Sequence, residues 1–213
     1  MLRKLNLVLL VTLLIFYLSA GLAFAQAEEP EGEPVEVPFA IYSLGQQTLS
    51  ISAGMFIPLF LQEFPLFGGA ITPNAQDDGM LKTRVAGSLQ WGVHLSNNWM
   101  AGLEVGGIVT KDINDTPYYM LPITVKGSYI IHFFPFEFPI FIGTGMNIMK
   151  YSDILNLTWI VKPGFSSIWK YNINWGFGLN VVYWWVPQFW PDDHTKGRMG
   201  NFLEITLTAQ YNF

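Results

Sequence analysis

From Leu49 to the last residue the chain alternates apolar and polar positions in stretches long enough to cross a membrane as tilted strands. The C-terminal stretch sets the pattern. Leu203, Ile205, Leu207, Ala209, Tyr211 and Phe213 fall on one side, and Glu204, Thr206, Thr208, Gln210 and Asn212 on the other. Successive side chains of a strand point to opposite faces, so this period of two predicts a strand with one apolar face running to the terminal Phe213. The same reading places Leu49, Ile51, Ala53, Met55, Ile57, Leu59 and Leu61 on one face of a first strand. It places Val85, Leu89, Trp91 and Val93 on the second, Trp99, Leu103, Val105 and Val109 on the third, and Tyr119, Leu121, Ile123, Val125 and Tyr129 on the fourth. Residues 139–149, "PIFIGTGMNIM", are strand-like with an ambiguous facing. Leu157, Trp159, Val161 and Phe165 define the sixth strand, and Ile173, Trp175, Phe177, Leu179, Val181 and Tyr183 the seventh. With residues 203–213 the count is eight, an even number, and each strand is near the 9–11 residues or so that cross a bilayer at a tilt.

The connections alternate in length. "SNN" (96–98) and "KYN" (170–172) are tight and "HFFPFEFP" (132–139) is moderate, whereas 63–83, 110–118 and 186–201 are long and polar. Short and long ends on opposite sides of a meander are the pattern of an up-and-down membrane barrel. Pairing around "SNN" sets Trp99 opposite Leu95, Ala101 opposite Val93 and Leu103 opposite Trp91. Pairing around "KYN" sets Phe177 opposite Phe165 and Asn180 opposite Lys162. Every pair agrees in facing. Taking Val109 opposite Leu121, Glu104 directly faces Lys126.

Composition explains which face is outside. Charged residues make up 13% of the chain, about half the usual share of soluble domains, against 51% apolar and 16% aromatic residues. The polar face is largely Gly, Ser, Thr and Asn, too small and neutral for a water-exposed exterior. A lipocalin-like barrel would have the reverse polarity. Trp99, Tyr129, Trp175, Tyr211 and Phe213 near the short turns, and Tyr119 and Tyr183 toward the loops, suit two lipid–water interfaces. Closure into a barrel pairs every backbone donor and acceptor, as hydrocarbon requires.

The first 25 residues read as a signal peptide: basic "MLRK", an apolar core, and Ala23 and Ala25 placed for cleavage. Residues 26–40, acidic and proline-rich, read as a periplasmic linker, and residues 41–213 as the barrel. Without Arg3 and Lys4, the eleven basic residues fall to nine against sixteen acidic ones, a net charge of −7 that argues against a nucleic-acid partner. There is no cysteine, so neither a disulfide framework nor a lipidated Cys is available.

The final strand resembles the C-terminal signature of bacterial outer-membrane barrels. By that resemblance Ile205, Leu207, Ala209, Tyr211 and Phe213 would be read by the barrel-assembly machinery. Residues 41–213 are similar to the small eight-stranded barrels of the OmpW, OmpX and OmpA transmembrane-domain type, which implies residence in the bacterial outer membrane among its lipids.

Candidate chemistry lies on the inward register. Glu104, Lys126, Lys162 and Glu204, with Gln90 beside Glu104, are expected to meet near mid-height in a lumen just wide enough for side chains. Paired, they form a satisfied network. It reads either as a structural plug or as a gate, and its arrangement resembles the lumenal network of the OmpA-type barrel. Phe64, Phe67, Trp184, Trp185, Phe189 and Trp190 are expected at an apolar mouth or in the lipid headgroups. By its OmpW-like character such a mouth implies passage of small hydrophobic solutes. Catalytic eight-stranded barrels modify lipid A with a His and a Ser or Asp near the outer rim. Here only His194, beside Asp192 and Asp193, is so placed, and no Ser partner is evident. His94 reads as inward and His132 as a turn residue. No enzyme, metal or cofactor is therefore expected. Two classes of role remain: a passive one, as a narrow or gated pathway for small solutes or simply as a structural component of the membrane, and recognition or adhesion, with the loops 63–83, 110–118 and 186–201 binding host or environmental ligands.

Overall fold

The computed structural model describes residues 42–63, 71–73, 84–111, 117–151, 154–188 and 198–213. Its strands are β1 (Gln47–Glu63), β2 (Ile71–Pro73), β3 (Arg84–His94), β4 (Trp99–Lys111), β5 (Pro117–Phe133), β6 (Phe136–Tyr151), β7 (Ile154–Lys170), β8 (Trp175–Gln188) and β9 (Arg198–Asn212). Eight of them, all but the three-residue β2, pair in sequence order, and β1 pairs back to β9. The result is a closed antiparallel barrel. β2 is a short addition against Phe60–Gln62 at the loop end of β1. No helix occurs among the described residues. The expected signal peptide, the expected 26–40 linker and the 192–194 triplet lie outside the described residues.

The polarity is that of a membrane barrel. Ile51 is 62% exposed and Leu207 71%, while Thr48, Thr206 and Asn212 are buried on the opposite face. The apolar face thus points outward on every barrel strand, and an aqueous setting would leave this belt hydrated at a large cost. Outward rings gather near the short turns: Trp99 against Tyr129 at 5.1 Å, Trp175 against Tyr211 at 4.9 Å, and Tyr211 stacked on Phe213 at 6.0 Å. The facing of β6, ambiguous in the sequence, is settled. Ile140, Ile142 and Met146 point out, and Phe141, Asn147 and Met149 point in.

Two registers differ from expectation. The β3–β4 pairs around residues 96–98 stand as expected, with Val93 opposite Ala101 and Leu103 opposite Trp91. Across β4–β5, however, Val109 pairs with Tyr119 and Glu104 with Thr124, two residues from the expected Glu104–Lys126 pairing. Across β7–β8, Phe177 pairs with Trp169 and Asn180 with Ser166, not with Phe165 and Lys162. The tight connection there runs from Tyr171 to Asn174, so Ile173 is in the turn. Both shifts are even. An even shift leaves every side chain on its own face, so the facing test could not detect it. The connection expected to be moderate is also tight, since Phe133 pairs with Phe136 around Phe134 and a cis Pro135.

Close packing of the wall uses glycine where strands approach. A Cβ on inward Gly145 would lie 2.1 Å from the backbone oxygen of Ile123, whereas one on outward Gly127 would meet nothing within 4 Å. Backbone atoms cannot yield as side-chain ends do. Gly145→Val is therefore expected to block refolding into the compact, heat-modifiable form seen on cold gel electrophoresis. Gly127→Val is expected to fold like the wild type.

Candidate functional site: a charge layer across the lumen

The inward residues divide the lumen into layers. Toward the loop end it is apolar: Phe56, Ile108, Met120, Ile160, Trp184 and Phe202 are all buried there. Phe56 stacks on Phe202 at 4.9 Å and meets the edge of Trp184 at 5.2 Å. In the sequence this face is largely small and polar, and its few large apolar residues gave no sign that they gather in one layer.

Below this apolar packing lie the four charges. Glu104 of β4 bonds Lys162 of β7 through Oε1, and its Oε2 accepts from Lys126 of β5 at 3.4 Å. Lys162 Nζ also lies 3.6 Å from Glu204 Oε2 of β9. Gln90 of β3 accepts from Lys126 Nζ at 2.7 Å through Oε1. The five residues named from the sequence are thus brought together, and Glu104 reaches Lys126 diagonally despite the shifted register. All are buried. Strand pleat and an eight-stranded girth leave them no route to water except along the lumen, so they must satisfy one another.

Aromatic rings complete the layer. Trp184 donates its Nε1–H to Glu204 Oε2 at 2.7 Å and holds its ring 4.3 Å from Lys162 Nζ, while Lys126 Nζ sits 3.5 Å from the centroid of Phe141. Each ammonium therefore has a carboxylate on one side and a π-face on another, an arrangement that strengthens out of water. This corrects the expectation that Trp184 sits at a mouth or interface. It is 1% exposed and points into the lumen, because β8 continues to Gln188 and Trp184 shares the inward register of Asn180 and Val182. Trp185, on the other face, points outward. Phe64, Phe67, Phe189 and Trp190 lie outside the described residues.

Beneath the layer is a cavity of about 30 Å³, walled above by Gln90 and Lys126 and elsewhere by Ser50, Ser128, Asn180 and Thr208. Ser128 Oγ is buried without a protein partner. Polar lining and this volume suit about two ordered waters. Ile205, Leu207, Ala209 and Tyr211, expected from the sequence to form an assembly signal with Phe213, occupy the outward face of β9, where it closes on β1, and Phe213 follows the strand.

A family model matches residues 27–211 of the chain. An uncharacterized protein of Borreliella burgdorferi is 26% identical over 187 residues, covering 78% of this chain and 82% of that one. Among solved structures, Neisserial surface protein A (NspA) has a TM-score of 0.54 at 9% identity, covering 79% of this chain and 97% of its own. The outer membrane protein OprG of Pseudomonas aeruginosa has a TM-score of 0.53 at 12% identity, covering 82% and 99%. These likenesses show the fold, that of a small eight-stranded outer-membrane barrel.

The geometry ranks the two lysines. Lys162 neutralises both carboxylates, whereas Glu104 keeps Lys162 when Lys126 is lost. Lys162→Met should lower the unfolding free energy by about 3–5 kcal/mol, the usual cost of stranding buried charge. Lys126→Ala should lower it by about 1–3 kcal/mol, that of a lost buried partner. Urea titration in lipid vesicles, followed by Trp fluorescence, measures both, and a larger loss for Lys126→Ala would contradict the ranking.

Proposed function

Starting from a chain that belongs to the family matched over residues 27–211, we propose that it is an integral protein of the bacterial outer membrane whose lumen is a narrow, gated passive pathway for small solutes. The observation that carries this reading is the convergence of Glu104, Lys126, Lys162 and Glu204 into one neutral layer across the lumen, with a polar cavity directly below it. A wall that only needed filling is filled more stably by apolar residues, since replacing a buried ion pair by hydrophobic side chains is often neutral or stabilising. Four buried charges, with three of their four possible acid–base pairs within 4.0 Å, form instead an arrangement that can exchange partners, as gated pores require.

The apolar packing on the loop side extends the reading to hydrophobic solutes, because Phe56, Trp184 and Phe202 offer rings rather than charge to anything entering from above. The outward belt makes membrane lipid the standing partner, and the terminal strand suits recognition by the barrel-assembly machinery. The likeness to a protein described as the outer membrane protein OprG supports the location. In this reading the short turns face the periplasm.

Single-channel recording of the refolded mature chain in a planar bilayer tests the pathway. Wild type is expected to show rare discrete openings. Glu104→Gln, which leaves Lys162 with Glu204 alone, should raise their frequency severalfold. A folded barrel silent in both forms would remove the pathway and leave a structural or loop-borne role.

A further inference from the structure

A second constellation closes the lumen at its turn end, and it is built around a residue that precedes the first strand. The chain turns sharply at Ser43–Gln46, where Gln46 donates to the Ser43 carbonyl at 3.2 Å and Gly45 takes a φ of 88°. That left-handed conformation is one that glycine adopts without strain. The turn is pinned to the wall, since the Gly45 N–H donates to the His94 carbonyl at 2.9 Å. It carries Tyr42 back into the barrel mouth, where only 2% of the residue is exposed.

Tyr42 is held on every side by groups from the barrel ends. Its ring stacks on His94 of β3 with centroids 3.8 Å apart and an interplanar angle of 9°, and lies 5.8 Å from His132 of β5. Its hydroxyl donates to Glu137 Oε2 of β6 at 2.8 Å and accepts from Lys170 Nζ of β7 at 2.6 Å. Its backbone N–H donates to Asn97 Oδ1 of the β3–β4 turn at 3.2 Å. Glu137 in turn lies 3.6 Å from Lys170 and 3.3 Å from His132. Burial, reinforced by the Glu137 carboxylate, raises the Tyr42 phenol above its ordinary range, so the hydroxyl stays a donor. Met100 and Ile130 pack with Tyr42, and Met100 also walls the polar cavity from below. None of these partners belongs to the charge layer.

We propose that Tyr42 is a removable stopper in the turn-side mouth of the barrel: a second closure, separate from the charge layer, that must leave its seat before small polar solutes on that side reach the cavity beneath the layer. The physical basis is an asymmetry in attachment. Every other residue of the closure stands in a strand or tight turn of the barrel, whereas Tyr42 is fixed by side-chain contacts and one short turn. Withdrawing it breaks no strand ladder. Local openings of this kind cost far less than unfolding the sheet. The side of the membrane that this mouth faces rests on the orientation proposed above, but the closure itself does not.

The chain's lack of cysteine makes the test direct. Ser128→Cys places a near-isosteric thiol in the cavity wall. Its rate of modification by 2-aminoethyl methanethiosulfonate, measured by mass spectrometry on the full mature chain folded in detergent micelles, reads access through the mouth without depending on conductance. The expected result is slow labelling in the Ser128→Cys chain and at least a tenfold faster rate when Tyr42→Ala is added. Tyr42→Phe, which keeps the stacking on His94 and loses both hydroxyl bonds, should give an intermediate rate. Glu104→Gln should raise the rate far less than Tyr42→Ala does, because a cationic reagent arriving from the loop side must still pass the apolar packing above the layer. Labelling equally fast with and without Tyr42 would overturn the proposal. So would a rate set by Glu104→Gln in place of Tyr42. If Tyr42→Ala failed to give the heat-modifiable form, the Tyr42→Phe rate would decide: a rate above that of Ser128→Cys alone supports the stopper, and an unchanged rate overturns it.

Discussion

The constraint on which the structure depends is closure. A strand edge left open in hydrocarbon would hold unpaired amides and carbonyls at a cost of several kcal/mol each, so β1 must find β9. Once eight strands close, the girth is fixed, and eight strands leave a lumen that side chains can fill. The pleat then divides each strand into a lipid face and a lumen face with no third option. Outward positions became Ile, Leu, Val and aromatic residues. Inward positions became small ones, except where a large side chain is needed to fill space.

Within that narrow tube the inward residues sort by height. Rings and branched aliphatics crowd the loop end, four charges form a neutral plane below them, small hydroxyl residues surround a cavity, and Tyr42 seals the turn end. The charge plane is the layer with the highest stakes. Its members cannot reach water sideways; each has at least one opposite charge in contact, and Lys126, Lys162 and Glu204 each touch a ring as well. Such a network is rigid when fully paired and costly when partly paired, so the native pairing is well defined and any opened state is sparsely populated.

Much of this was legible in the sequence because alternation is a local signal. The facing of β3, β4, β7 and β9 followed from it directly, and so did the inward placement of Glu104, Lys126, Lys162 and Glu204. What was lost is what alternation does not encode. Register across β4–β5 and β7–β8 is set by turn geometry, and an even slip leaves the pattern intact. In β8 the stretch from Tyr183 to Val186 is apolar on both faces, so Trp184 gave no sign that it points at Glu204. Tyr42 was least visible of all. It follows a proline-rich acidic segment, and its partners His94, Glu137 and Lys170 lie far along the chain, so no periodicity connects them.

The central claim is that Glu104 and Lys162 are coupled across the lumen as the hinge of the charge layer. A double-mutant cycle with Glu104→Gln and Lys162→Met, read as unfolding free energies in lipid vesicles, tests it most directly. The account predicts a coupling of about 2–3 kcal/mol, near the upper end for residues sharing one network. Additivity within about 0.5 kcal/mol, as for sites that do not touch, would contradict it.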